Sequence, residues 1–298
     1  MNDFLNMSAE LEALIRQFDL LEIRDQILAA AKPQLVGRSQ YNSEFIEDFF
    51  KRYRADSPEM SRFSEPKDWE QHLTQTTPVG TTRVGGLPDL PRNVGWPIHE
   101  GKLIPFVAQV QLAELPQIPE MALPQSGLLS FFASGGMKCP DVVKFFDSSP
   151  SDLVRQARPD DDQTLADWTD TGVYFPVPIQ PLVAIPSFPP LHRQRWDESP
   201  NVDPKIGDRV FDMIDHIAKA FGGDATLRIG GYPWLDTVEG LTTHTLRKPG
   251  PGPWQLVLEV SSTGTMQWSD SGVFDVLIRP ADLSGRDFSK IFAAMSSS

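Results

Sequence analysis

Phe106-Val107-Ala108-Gln109-Val110-Gln111-Leu112 is the stretch from which the fold is read. It alternates with period two, the pattern of a β-strand whose two faces meet different surroundings. On that period Gln109 and Gln111 share one face with Val107, and Phe106, Ala108, Val110 and Leu112 share the other. A Gly85-Gly86-Leu87-Pro88 turn precedes it, and Ser126-Gly127 launches another strand over Gly127–Ala133. Further along the chain the same order returns. Gly230-Gly231-Tyr232-Pro233 is followed by Leu256-Val257-Leu258-Glu259-Val260 and then by Ser271-Gly272-Val273-Phe274. This reads as an internal duplication, with halves over about 76–180 and 205–292 and Glu259 in the place of Gln109. Two related β units imply sheets with a groove between them, the natural place for a ligand.

The remaining strands expected are Val142–Phe146, Gly172–Val177, Trp254–Val260 and Gly272–Ile278. Helices are expected over 8–31, with Leu11, Leu14, Ile15, Phe18, Leu21 and Leu28 at helical spacing and Pro33 as the stop. Others are expected over 43–53 and after Ser64, so that residues 1–74 form a helical extension ahead of a β-rich body at 75–298. Asp208–Phe221 is the strongest helix of the second half, with Val210, Phe211, Ile214, Ile217, Ala218 and Phe221 on its buried face. The link that carries it calls for cover from both sheets, which favours one body over two. The tail from Arg286 to Ala294 reads as a short helix. The fold class is therefore α+β, with extended antiparallel sheets.

Composition narrows the function. With 40 acidic against 27 basic residues the net charge is −13, which disfavours nucleic acid and anionic membrane as partners. The single cysteine, Cys139, excludes an intrachain disulfide, and with no basic-then-apolar leader the chain reads as cytoplasmic. None of the familiar nucleophile, zinc-hydrolase, phosphate-loop or dinucleotide motifs is present. The five histidines have no metal-ligand spacing, so no metal and no cofactor are expected.

The segments Gly85–Pro88, Trp96-Pro97, Phe106–Leu112, Leu123-Pro124, Gly127–Phe132, Gly230–Pro233, Trp268–Gly272 and Asp282-Leu283 with Phe288 together resemble the YwqG-like bacterial domain family, whose function is unknown. The resemblance runs from Thr76 to Ile291. It implies the α+β fold and no particular reaction. Family members carry a glutamine soon after the second Gly-Tyr-Pro motif, where this chain has Trp234-Leu235-Asp236, and another in the later strand, where it has Glu259.

These readings make the protein a non-catalytic module that binds another protein or a small polar ligand. The alternative is an enzyme of unrecognised class, such as a hydrolase, using Asp270 or Glu259 in the groove between the halves. Candidate ligand-binding residues are Gln109, Gln111, Trp96, Glu259, Trp268 and Asp270. The two amides and two carboxylates supply polar readout, and the two indoles supply a flat apolar floor. Asp270 has a second role open to it, accepting backbone N–H bonds in the turn before Gly272.

Overall fold

The computed structural model describes residues 2–40, 74–133, 141–157, 176–179, 181–189, 196, 203, 205–222, 225–233, 253–263, 266–268 and 272–296. Its helices are α1 (Asn2–Gln17), α2 (Arg24–Ala30), α3 (Ile206–Ile217) and α4 (Pro280–Ser284). The strands in chain order begin with β1 (Lys32–Gly37), β2 (Arg83–Val84), β3 (Asp89–Pro91), β4 (Ile98–His99), β5 (Lys102–Leu103), β6 (Phe106–Gln111), β7 (Leu128–Phe132) and β8 (Val142–Phe146). They continue with β9 (Leu153–Arg155), β10 (Val177–Pro178), β11 (Val183–Ser187), β12 (Leu227–Gly230), β13 (Gln255–Ser261), β14 (Val273–Ile278) and β15 (Phe292–Ser296). The fold is mixed α+β with several antiparallel sheets.

Two sheets dominate. The first runs β10-β2-β6-β7-β8 and the second β11-β1-β12-β13-β14-β15. They lie face to face over one core, to which Val107, Ala108, Val110, Leu129 and Phe131 contribute from the first sheet and Leu35, Ile229, Leu258, Val260, Phe274 and Val276 from the second. The space between the sheets is thus filled with apolar side chains, where the sequence suggested a groove. Helices α1, α2 and α3 cover the opposite face of the second sheet. Leu11, Ile15, Ile27, Val210, Met213 and Ile217 meet Val36 and Ile185 there. The strands in this cluster all belong to the second sheet, so α3 packs on one sheet rather than on two.

The ladders of the two sheets match rung for rung. In the first, Arg83 opposes Gln109, Gln109 opposes Ser130 and Ser130 opposes Lys144. In the second, Arg228 opposes Glu259, Glu259 opposes Asp275 and Asp275 opposes Ala294. Each sheet has a register shift at the same point, between Phe106 and Ala108 and between Leu256 and Leu258. That extra residue corrects the simple alternation expected for β6. It turns Val107 into the shared core with Ala108 and Val110, and puts Phe106 on the Gln109 side, where it packs with Leu87, Leu90 and Phe132.

Several local expectations change. The helix expected over 8–31 is two helices. Asp19 adopts a left-handed conformation (φ 54°), and the Leu20 N–H closes onto Ile15 O at 2.8 Å, which ends α1 and starts a new direction. Pro33 does stop helix formation, and it sits in a strand inside the second sheet, β1, paired with β11 on one side and β12 on the other. In α3 the buried positions are Ile206, Val210, Met213 and Ile217, one helical stripe, and this leaves Phe211 52% exposed. The tail expected as helix over 286–294 is a 3-10 turn at Phe288–Lys290 followed by β15. Its helix-favouring Ala-Ala-Met run is overridden by pairing along β14. The helix expected over 43–53, all but the end of the one expected after Ser64 (residues 74–76 are helical), and all but the end of the strand expected over 172–177 lie outside the described residues.

Because β1 is an internal strand, deleting residues 1–37 should abolish the cooperative thermal transition seen by circular dichroism. Retention of a sharp, near-native transition would mean that β11 closes onto β12 without it.

Candidate functional site

The Gly-Gly turns place the polar groups of each sheet. Gly85 and Gly86 have φ of 70° and 79°, and Gly230 and Gly231 both have 71°. Two successive left-handed residues favour glycine on backbone grounds alone. Space forbids more as well. A Cβ on Gly86 would stand 2.8 Å from Pro176 Cβ, and one on Gly231 would stand 2.8 Å from both Gln34 Cβ and Ser187 Cβ. The backbone angles and the close approaches give the glycines of both turns a structural reason.

The first turn folds the chain back so that Asp89 enters a cluster with the fully buried Arg83 and Gln109 and the partly buried Arg155. Asp89 Oδ2 accepts from Gly80 N–H at 2.8 Å, Arg83 Nη1 at 2.7 Å and Gln109 Nε2 at 2.8 Å, while Oδ1 accepts from Arg155 Nε at 2.8 Å. Gln109 is saturated too. Its Nε2 also donates to Thr81 O at 2.8 Å, and its Oε1 accepts from the Asp89 N–H at 3.1 Å. Arg155 extends the cluster to the carbonyls of Thr74 and Thr77. Burial opposes the Asp89 charge, but Arg83, Arg155 and the Gly80 N–H outweigh it and hold the carboxyl below the usual carboxylate range. Burial pulls the Arg83 guanidinium down to about 10, against the attraction of Asp89, so it stays charged at neutral pH. The cluster fastens β3, β9 and the chain at 74–80 to the outer face of the first sheet. Its members are already bonded to one another, which suits a staple better than a reactive site.

The second sheet has a smaller counterpart. Arg228 Nη1 lies 2.5 Å from Glu259 Oε1, and Glu259 is fully buried with Asp275 opposite it on β14. Both rungs occupy the sheet faces turned away from the shared core, since the flanking Ala108, Val110, Leu258 and Val260 all point into that core.

The candidate residues are therefore separated. Gln111 is buried and donates to Gly80 O at 3.2 Å. Neither amide meets solvent or a cleft, because the β3 ribbon covers them. Trp96 donates to Ile104 O at 2.6 Å inside a satellite cluster. Trp268 is fully buried in the shared core, stacked on Phe274 at 4.8 Å. The turn that it begins is closed by Gly272 N–H to Trp268 O at 2.7 Å. Asp270 lies outside the described residues, as does Cys139. Among the described residues no group of three His, Cys, Asp or Glu is placed to hold a metal ion, and no helix is long and apolar enough to cross a membrane.

An accessible concavity among the described residues lies elsewhere, along the edge strand β11. A groove of about 530 Å³ is lined by Met7, Leu11, Ala13 and Leu14 of α1, by Leu182–Pro186, by His216 and Ile217 of α3, and by Pro116. Among the described residues its ionisable lining groups are Glu10 and His216. The helical spacing of Leu11 and Leu14 is visible in the sequence. The groove is not, because its other wall comes from residues some 170 to 200 positions away. Arg83, Asp89 and Arg155 escape a sequence reading for the same reason. Asp89 and Arg155 meet only through the β3–β9 pairing.

The chain belongs to the DUF1963 family, a domain of unknown function, whose family model matches residues 82–296. This agrees with the YwqG-like resemblance. No curated protein matches the chain.

Replacing Asp89 with Asn would leave Arg83 and Arg155 with uncompensated buried charge, and should cost about 3–5 kcal/mol of folding stability in urea titrations. The unmutated protein should lose the same stabilisation in acid. The Asp89 pKa is depressed on folding, so its contribution is complete above about pH 4 and fades as pH falls through the lower folded value. A loss below about 1 kcal/mol for Asp89→Asn would show that the cluster is not the staple described.

Proposed function

We propose that this DUF1963 member is a non-catalytic binding module whose binding surface is the groove between α1, β11 and α3. The observation that carries the reading is the contrast between two regions. Gln109, Gln111 and Glu259, expected to read a ligand, are bonded internally, while an accessible groove of about 530 Å³ is walled mainly by apolar side chains. Such a surface suits apolar side chains from another protein better than a small polar ligand. Val183, 50% exposed at its rim, would be covered on binding. Complete burial of Glu259 beside Arg228 favours binding over hydrolysis, since a general base must reach its substrate. One cysteine in 298 residues supports a cytoplasmic setting, where disulfides are rare.

We also infer that the two sheets derive from one duplicated unit. The support is the shared strand order, the matching Arg–Gln–Ser–Lys and Arg–Glu–Asp–Ala rungs, the register shift at the same place, and the paired left-handed glycines. On this reading the N-terminal segment is an addition to the duplicated body, with α1 and α2 laid over the second sheet and β1 inserted into it.

The test is capture from cell lysate with the intact protein beside Leu14→Arg, both read by mass spectrometry for proteins and small molecules. Leu14 is half-buried at the groove wall, so arginine fills the groove with little damage to the core. A stoichiometric partner held by the unmutated protein and lost at least tenfold from Leu14→Arg is expected. A partner retained equally by both would move the binding surface away from this groove.

A further inference from the structure

The two main sheets end in four strands, and three of these ends are protected. At β11 the chain carries Pro186, which offers no N–H to an incoming strand. The β10 edge is continued by Gln40, whose N–H bonds to Pro178 O at 2.9 Å, and by the Ser39–Ile179 bridge. In β8 an exposed Lys144 stands at the centre, and Phe145 packs on Phe288 of the 3-10 turn, with ring centroids 5.8 Å apart. The fourth, β15, has the sequence Phe292-Ala293-Ala294-Met295-Ser296, without charge or proline. At the register position of Lys144 it has Ala294. Such an edge is a template for another strand.

The ladder phase fixes which groups face outward. Ser262 N–H bonds to Gly272 O at 3.1 Å, so on β14 it is Phe274 and Val276 that bond toward β13. Val273, Asp275 and Leu277 then bond toward Ser296, Ala294 and Phe292. Ala293 and Met295 are left with N–H and C=O directed away from the sheet, and no other described residue bonds to them. Their side chains pack against the shared core, which therefore reaches the edge.

The geometry points to a second copy of this chain as the occupant, paired antiparallel through β15 about a two-fold axis at Ala294. Ala293 of each copy then exchanges two bonds with Met295 of the other, four in all. Ala294 faces its own counterpart, where a lysine would have set like charges opposite each other. The two shared cores join across the axis. A head-to-tail contact of β15 on β11 would meet Pro186, so the closed two-fold arrangement is the one the edges permit.

Sedimentation velocity of the intact protein at about 10–100 µM, a range suited to a small interface, tests this. A reversible dimer is expected, weakened at least tenfold by Ala294→Lys and by Ala293→Pro, each checked for folding by circular dichroism. Ala293→Pro removes only an outward N–H, so the monomer should retain β15. If either variant fails to fold, amide exchange in the unmutated protein decides. Exchange at Ala293 and Met295 should slow with rising concentration, while Ala184 on the β11 edge does not change. A monomer throughout the range, open-ended larger assemblies, a dimer unaffected by both folded variants, or exchange at Ala293 and Met295 independent of concentration would each overturn the proposal.

Discussion

Everything in this protein is arranged around the contact between its two sheets. Antiparallel sheets have two faces, and here one face of each is committed to the other sheet through aliphatic and aromatic side chains. The remaining faces must be covered or left to water. On the second sheet the helices cover the β1–β11 side. On the first, the β3–β5 segment lies over Phe106 and Phe132. Covering an outer face has a consequence for whatever polar residues stand on it. Arg83, Gln109 and Asp89 lose water, and they are tolerable only because each finds partners. The ion-pair cluster is a result of the layering and locks its cover in place.

That layering explains what could be read from sequence. Period-two alternation and the Gly-Gly-x-Pro turns are local signals, and they located β6, β7, β13 and β14 to within a residue or so. The order of those signals recurs along the chain, and the two runs of strands fall in separate sheets. Strands whose identity depends on a distant neighbour were not legible. Lys32–Gly37 has a proline at its second position and reads as a helix stop, and only pairing with β11 and β12 makes it a strand. The tail reads as helix by propensity until β14 is placed beside it. The bulge at Val107 reverses the face of Phe106, and no simple period anticipates an inserted residue.

The candidate site was legible in identity and not in environment. Gln109 and Glu259 stand out in the sequence as the odd polar positions in apolar strands. A polar residue in such a strand has two physical explanations: an accessible ligand surface, or a buried partner supplied by another part of the chain. Sequence spacing cannot choose between them, because Arg155 reaches Asp89 across 66 positions and Arg228 reaches Glu259 across 31. The groove poses the converse problem. Its apolar lining looks in sequence like any core-facing helix, and only the incomplete closure of α1 over β11 leaves it open.

The two ladders differ in charge, and the differences decide what each sheet attaches to. Gln109 and Ser130 are neutral where Glu259 and Asp275 bring carboxyl groups, and an arginine heads each rung. In the first sheet Arg83 therefore needs a carboxylate from outside the rung, and Asp89 supplies it from the folded-back ribbon. In the second sheet the carboxylate sits on the neighbouring strand, so Arg228 is matched within the rung itself. The far ends of the rungs differ as well. Lys144 is exposed on the first sheet's edge strand, whereas Ala294 at the same register position of the second is uncharged and buried. Two sheets with the same ladder thus differ in their outer attachments. The first supports a covering ribbon, while the second carries the helical layer with its groove at one edge and β15 at the other. In each sheet the constraint of a shared core is satisfied by one face alone, which leaves the other face to take attachments of its own.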